Sequence, residues 1–194
     1  MDSDTAAHRK RALRAELRER RQNLTSTERA AATAGITRNL TDLATDLSAR
    51  SVACYLSTPI EPDTRPFLNW MHAQGIRVLL PISREDGLLD WTTGDGETET
   101  EGLFGMPEAV GELLGPIAIN DVDLIVIPAA AVDASGMRMG WGRGYFDKTL
   151  GSMEKCPPVY AVLFDAELVD EVPRERHDQP VDGAVTPTRI VQFS

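Results

Sequence analysis

At 194 residues, with 42% hydrophobic and 26% charged side chains, the chain has the length and composition of a single globular domain spanning 1–194. A net charge of −10 disfavours nonspecific binding to nucleic acid or an anionic membrane. No apolar stretch approaches the roughly 20 residues that a membrane-spanning helix needs. The sequence does not open on an apolar signal segment, and Cys54 and Cys156 have neither metal nor redox spacing, so a cytoplasmic protein with plain thiols is expected. His8, His72 and His177 are scattered and form no zinc pattern.

The charge is uneven. Residues 8–21 hold seven basic side chains against Glu16 and Glu19, which makes the segment +5 and leaves −15 for the remainder. Residues 5–21 read as a helix with Leu13 and Leu17 on one stripe and Lys10, Arg14 and Arg18 on another. Either Lys10 and Arg14 reach a bound anion, or this is a solvated basic face. Thr25 and Glu28 form a capping box that opens a second helix to about Ser48, with Ile36, Leu40, Leu43 and Leu47 as its apolar stripe. A strand follows from Val52 to Leu56, then a proline-flanked turn carrying Glu61. Thr64 to Gln74 reads as a short helix ended by Gly75, Arg77 to Pro81 as a strand, and Leu88 to Trp91 as another. The polar tract Gly94 to Glu101 reads as an exposed hairpin tip or loop. Order resumes at Leu103 to Glu108. Further strands are expected at Asp123 to Pro128, Val159 to Phe164 and Arg189 to Phe193, with a helix starting at Tyr145. Strands alternating with helices predict an α/β fold, a mostly parallel sheet covered on both faces. Ligands in such folds sit beyond the carboxyl ends of the strands.

The most distinctive stretch is Pro128-Ala-Ala-Ala-Val-Asp133-Ala-Ser-Gly136-Met-Arg138-Met-Gly140-Trp-Gly142-Arg143-Gly144-Tyr145-Phe146-Asp147. Glycines let backbone amides turn inward, a helix start supplies free N–H groups, and an arginine fork suits phosphate oxygens. A glycine-rich hairpin without a ligand is the plainer reading. Asp147, in the first turn of the following helix, is either a ligand for a hard cation or an ordinary dipole-stabilising residue. Asp182 and Asp178 compete as a second cation ligand, and each also suits a turn. Asp133 reads as an Asx-turn residue shaping the loop. Glu61 suits a ligand carrying amino and ring N–H groups, while Phe104, Trp91 and Tyr145 suit either flat walls or core.

The glycine-rich run resembles the signature of the 5-formyltetrahydrofolate cyclo-ligase (5,10-methenyltetrahydrofolate synthetase) family. Lys10-Arg-Ala-Leu-Arg14, Tyr55-Leu-Ser followed by Glu61, Phe104-Gly-Met-Pro-Glu108, and the tail from Pro173 through Asp178 and Asp182 to Thr186 match the same family in order. The resemblance implies a fold like that of ribose-phosphate isomerases and CoA transferases, with ATP and Mg²⁺ as requirements. It implies that Lys10, Arg14, Arg138, Met139, Gly140, Trp141, Gly142, Arg143, Gly144, Tyr145 and Phe146 bind ATP. Leu56, Glu61, Phe104 and Tyr145 would line the folate site, Asp147 and Asp182 would ligate Mg²⁺, and Arg143 and Tyr145 would act in catalysis.

The implied reaction phosphorylates the formyl oxygen of 5-formyltetrahydrofolate and closes the ring to 5,10-methenyltetrahydrofolate. A monomer acting on small molecules, without nucleic acid or membrane partners, is expected. Phe146 stands where the family often has a second tyrosine, Met139 where leucine is common, and Arg84 two residues later than a basic residue usual after Pro81. A non-catalytic module binding folate or nucleotide on the same scaffold is the alternative.

Overall fold

The computed structural model describes residues 2–94, 96–154 and 156–193, with 2–4 described by backbone alone. Asp95, inside the polar tract expected to be exposed, lies outside the described residues. The elements run α1 (Asp2–Gln22), α2 (Ser26–Asp46), β1 (Ser51–Ala53), α3 (Arg65–Ala73), β2 (Arg77–Ser83), β3 (Leu89–Thr92), β4 (Glu99–Glu101), β5 (Pro107–Ala109) and β6 (Leu113–Leu114). They continue with β7 (Leu124–Pro128), β8 (Ala131–Asp133), β9 (Arg138–Met139), α4 (Tyr145–Gly151), β10 (Val159–Val162), β11 (Leu168–Val169), β12 (Gly183–Val185) and β13 (Ile190–Gln192).

The main sheet has the order β13-β12-β10-β7-β1-β2-β3-β6. Its five inner strands, from β12 to β2, are parallel, and β13, β3 and β6 are antiparallel additions at the edges. Alternation along the parallel strands builds two cores. Val52, Val78, Leu80, Leu124, Val126 and Val162 face Ile36 and Leu40 of α2 and Phe67 and Met71 of α3. Ala53, Leu79, Ile125, Ile127 and Ala161 face the other way, against Ile119, Val122 and Leu150 of α4. The chain is therefore mixed α/β with helices on both faces, as its pattern predicts.

Local signals explain the boundaries. Glu28 N donates to Thr25 Oγ1 at 3.1 Å and Thr25 N donates to Glu28 Oε1 at 3.0 Å, which closes the capping box at the start of α2. The expected exposed tract is a hairpin arm, with Glu99 opposite Ala109 in a β4–β5 ladder. A small sheet of β11, β8 and β9 stands beside the main one. Asp133 shapes it as its spacing predicts: Oδ1 accepts from Ser135 N at 2.9 Å and Met137 N at 3.1 Å, and Oδ2 from Val172 N at 3.1 Å.

Helix α1 departs from the solvated reading of its basic face. Lys10 and Arg21 are buried alongside Leu17, whereas Arg9, Arg11 and Arg20 are exposed. The buried charges have acidic partners far along the chain. Arg21 makes a two-toothed contact with Glu167, Nε to Oε2 at 2.7 Å and Nη2 to Oε1 at 2.8 Å, and donates to Ala129 O at 2.8 Å. Its guanidinium lies 4.8 Å from the Trp141 ring centroid and 5.4 Å from that of Phe164. Pairing of this kind is what makes a buried arginine tolerable.

Candidate active site

From β1 the chain crosses to β2 on one side, and β7 pairs with β1 on the other. The two directions of winding leave a crevice beyond the carboxyl ends of β1 and β7, the usual ligand position in such sheets. A cleft of about 420 Å³ lies there. Its walls come from the turn after β1, the end of β2, the Phe104 turn, the glycine-rich loop, α1 and residues 175–178.

The glycine-rich loop owes its shape to two kinds of glycine. Gly142 and Gly144 adopt positive φ of 103° and 76°, and Gly144 is the residue from which α4 starts. At Gly140 the constraint is space, since a Cβ there would come within 2.9 Å of the Arg138 guanidinium. Arg138 is 4% exposed, donates from Nε to Pro128 O at 2.8 Å and stands 3.9 Å from Asp147 Oδ1. Its guanidinium lies 5.6 Å from the Phe146 ring centroid. Arg14 Nε donates to Gly140 O at 2.8 Å and so ties α1 to the loop. Burial pulls both guanidiniums below their ordinary pKa, most simply because a charged group loses hydration there. Trp141 is flanked by Arg18 and Arg21, and its buried Nε1 has no acceptor among the described residues.

Lys10 also reaches the cleft, where Nζ contacts Asp178 Oδ2 at 2.6 Å and Glu175 Oε1 at 2.8 Å. Arg143 stacks on Phe104, its guanidinium carbon 3.7 Å from the ring centroid. Phe104 is 57% exposed and has a positive φ of 61°, a strained backbone for an aromatic residue. Tyr145 meets Phe104 edge-on at 6.5 Å and donates its hydroxyl to Arg84 O at 2.7 Å.

Glu61 is 9% exposed, and its Oε1 accepts from Thr58 N at 2.9 Å. Burial raises its pKa, against the opposing pull of the Thr58 amide and of Arg21 and Arg138. Leu56 lines the same wall. Tyr55 is 3% exposed beside Glu61, its hydroxyl has no partner among the described residues, and burial drives its pKa well upward.

The cleft thus gathers Lys10, Arg14, Arg138, Gly140, Trp141, Gly142, Arg143, Gly144, Tyr145, Phe146, Leu56, Glu61, Phe104 and Asp147. Two expectations need correction. Met139 is 1% exposed and packs with Leu17, Ala131 and Val172, because strand alternation turns it away from its neighbours Arg138 and Gly140. Asp182 is not a cleft residue. It stands at the amino end of β12, exposed, where Oδ2 accepts from Val159 N at 2.8 Å. It influences the Cys156 thiol, beyond the far end of α4, whereas Asp147 is in the first turn of that helix, which is roughly 10 Å long for its seven residues. Asp178 is the tail carboxylate that enters the cleft. Arg84 pairs with Asp86 and Asp90 and contributes only its carbonyl to the site's surroundings.

Mg²⁺ takes one or two protein carboxylates and completes its octahedron with water or phosphate oxygens. Asp147 fits as one such ligand, since its carboxylate borders the basic cleft. The pair Asp147 and Asp182 does not fit, and no group of three metal-binding side chains occurs among the described residues.

Residues missed in the sequence are Arg21, Glu167 and Tyr55. The spacing Lys10, Arg14, Arg21 places all three on one helical face, a signal that was available. Their partners are not deducible from local pattern.

A basic, glycine-lined cleft at the reversal point of a mostly parallel sheet defines an α/β protein suited to an anionic ligand beside a flat one. The chain belongs to the 5-formyltetrahydrofolate cyclo-ligase family, whose sequence profile matches residues 6–187. It is 36% identical over 148 residues to the 5-formyltetrahydrofolate cyclo-ligase of Mycolicibacterium smegmatis, covering 74% of this chain and 76% of that one. The Escherichia coli cyclo-ligase is 29% identical over 150 residues, 75% of this chain and 82% of that one. Among solved structures, the 5,10-methenyltetrahydrofolate synthetase of Aquifex aeolicus superposes with a TM-score of 0.78 at 28% identity, covering 95% of this chain and 92% of that one. No helix among the described residues is long and apolar enough to cross a membrane.

Proposed function

We propose that this protein converts 5-formyltetrahydrofolate to 5,10-methenyltetrahydrofolate with ATP, releasing ADP and phosphate, as a monomer of one domain in the cytoplasm. The observation that carries this reading is one cleft holding both halves of the chemistry. The glycine-rich loop with Arg14, Arg138 and Arg143 suits a triphosphate, and Glu61, Phe104 and Tyr145 in the same cleft suit a pteridine. The family membership supports the folate substrate.

A formyl oxygen on nitrogen is a poor leaving group, and phosphorylation makes it a good one. The formyl oxygen attacks the γ-phosphorus as the bond to the bridging oxygen breaks and ADP leaves. The N5 lone pair becomes part of an iminium phosphate. N10 then attacks the same carbon and loses its proton, and the carbon–oxygen bond breaks with departure of phosphate. The protein's contribution is alignment and charge screening, and no covalent nucleophile is required.

Arg143 leaves the Phe104 face for the transferring phosphoryl group, and Phe104 and Tyr145 hold the pteridine. Glu61, ionised, accepts from the pterin amino edge. Mg²⁺, when bound, screens the triphosphate, with Asp147 as a protein ligand. Purified protein supplied with ATP, Mg²⁺ and 5-formyltetrahydrofolate is expected to produce the methenyl chromophore. Folded protein that gives no absorbance rise, or an equal rise without ATP, would refute the reading.

A further inference from the structure

Tyr55 lies just past β1, at the start of the turn that carries Glu61, and both residues line the cleft. Its ring belongs to the core built by Phe67, Met71 and Val126, and its carbonyl accepts from Thr64 Oγ1 at 2.7 Å. The residue is therefore anchored, yet its hydroxyl is cut off from solvent and bonded to nothing among the described residues. A buried hydroxyl without a partner costs stability and calls for an explanation. Of the ionisable groups that bear on it, Glu61 comes first, ahead of Cys54, Arg21 and Glu167. Glu61 has the complementary need. Its Oε1 accepts from Thr58 N at 2.9 Å, while the guanidiniums that bear on it are committed elsewhere, Arg21 to Glu167 and Arg138 to the Pro128 carbonyl. An ionised carboxylate offers about four lone-pair sites. The Thr58 amide takes one, and the amino and ring N–H groups along a pteridine edge take two.

We propose, on the folate reading above, that Tyr55 is a positioning residue for Glu61: in the ligand-bound protein its hydroxyl donates to the Glu61 carboxylate and fixes it for the N–H edge of the pteridine. Without ligand, burial draws Glu61 toward its neutral form, a poor acceptor, and the hydroxyl is left over. The N–H groups of the ligand favour the charged form, and the carboxylate then takes the hydroxyl as its remaining donor. Arg21 Nη1 is also buried and unbonded, but Arg21 does not line the cleft and Glu167 already meets its charge. Because solvent does not reach the Tyr55 hydroxyl, it acts on the ligand through Glu61 and not by contact.

Turnover of 5-formyltetrahydrofolate at saturating ATP and Mg²⁺ tests this on the full chain, in the wild type, Tyr55→Phe, Glu61→Gln and the double variant. Tyr55→Phe is expected to raise KM for the folate by about tenfold or more, the worth of a hydrogen bond to a charged group, with kcat within about threefold. In the Glu61→Gln background, where subsaturating rates give kcat/KM even when binding is weak, the same change should cost about threefold or less. Urea unfolding without ligand supplies a readout that separates positioning from structural support. Tyr55→Phe should unfold at the same urea concentration as the wild type or a higher one, because the hydroxyl it lacks is unbonded in the free protein. A Tyr55→Phe enzyme with KM within threefold of the wild type overturns the proposal and leaves the folate reading standing. A tenfold loss that persists beside Glu61→Gln overturns it as well, since the hydroxyl would then act independently of the carboxylate. So does a lower unfolding midpoint for Tyr55→Phe. A folded wild type without turnover removes the folate reading and this proposal together.

Discussion

Removing one partner of the Arg21–Glu167 pair is expected to loosen the helix that brings Lys10 and Arg14 to the cleft. Both side chains are almost fully buried, at 1% and 4% exposure. Two contacts of 2.7 and 2.8 Å join them, and Glu167 Oε1 also accepts from Phe164 N at 2.9 Å. Glu167→Leu leaves a buried guanidinium with only the Ala129 carbonyl and two aromatic faces, a loss of about 3–5 kcal/mol. In a chain of this size each kcal/mol moves the melting midpoint by about 2–4 °C, so the variant should melt roughly 6–20 °C lower. Arg21→Met together with Glu167→Leu removes both charges and should recover most of that loss. Urea unfolding of the wild type, both single variants and the double variant measures the cycle, and ATP titration of the single variants should show weaker binding. Single losses below about 1 kcal/mol, or a double variant that loses the sum of the two, would refute the reasoning.

Three further outcomes follow from particular groups. Burial raises the Glu61 pKa above 4.5, so its ionisation costs the ligand-free fold stability once pH exceeds that value. Glu61→Gln should therefore unfold at higher urea than the wild type near neutral pH, with the gain vanishing below about pH 4.5, while binding 5-formyltetrahydrofolate more weakly. A gain that persists at low pH would contradict the burial argument. Asp182→Ala should lose about 0.5–1.5 kcal/mol of stability, the worth of one strand-end hydrogen bond, and keep its turnover; a collapse of turnover with stability intact would contradict its placement. The Cys54 thiol is buried and pushed up to about 12, and Cys156 is exposed. A thiol reagent should modify one cysteine in the native protein and both in denaturant, and two reactive native thiols would contradict that burial.

Much of the architecture was legible because it rests on local pattern. Apolar runs such as Leu124–Pro128 and Val159–Val162 announce buried parallel strands, Thr25 and Glu28 announce a helix start, and the glycine spacing announces the loop. Short strands escaped. Gly183–Val185 offers three residues between a polar turn and Thr186, and its identity as an inner strand comes from pairing with Val159–Val162 rather than from its own composition. The small sheet of β8, β9 and β11 fails for the same reason, with two or three residues per strand. The site was legible as a residue inventory but not as a geometry. Arg21 finds Glu167 across 146 positions and Lys10 finds Asp178 across 168, distances at which sequence periodicity says nothing. Asp178 and Asp182 differ by four positions in the chain, yet one enters the cleft and the other accepts a hydrogen bond at the amino ends of β10 and β12, the opposite end of the strands. Met139 is contiguous with the loop's cleft-facing residues, yet strand alternation turns it into the core.

The most direct test of the whole account follows the formyl oxygen. Substrate carrying ¹⁸O in the formyl group, turned over with unlabelled ATP and analysed by ³¹P NMR, should deliver the label to the released inorganic phosphate. Label found in water, with unlabelled phosphate, would mean that the oxygen leaves by another route and that no phosphoryl group is passed to it in this cleft.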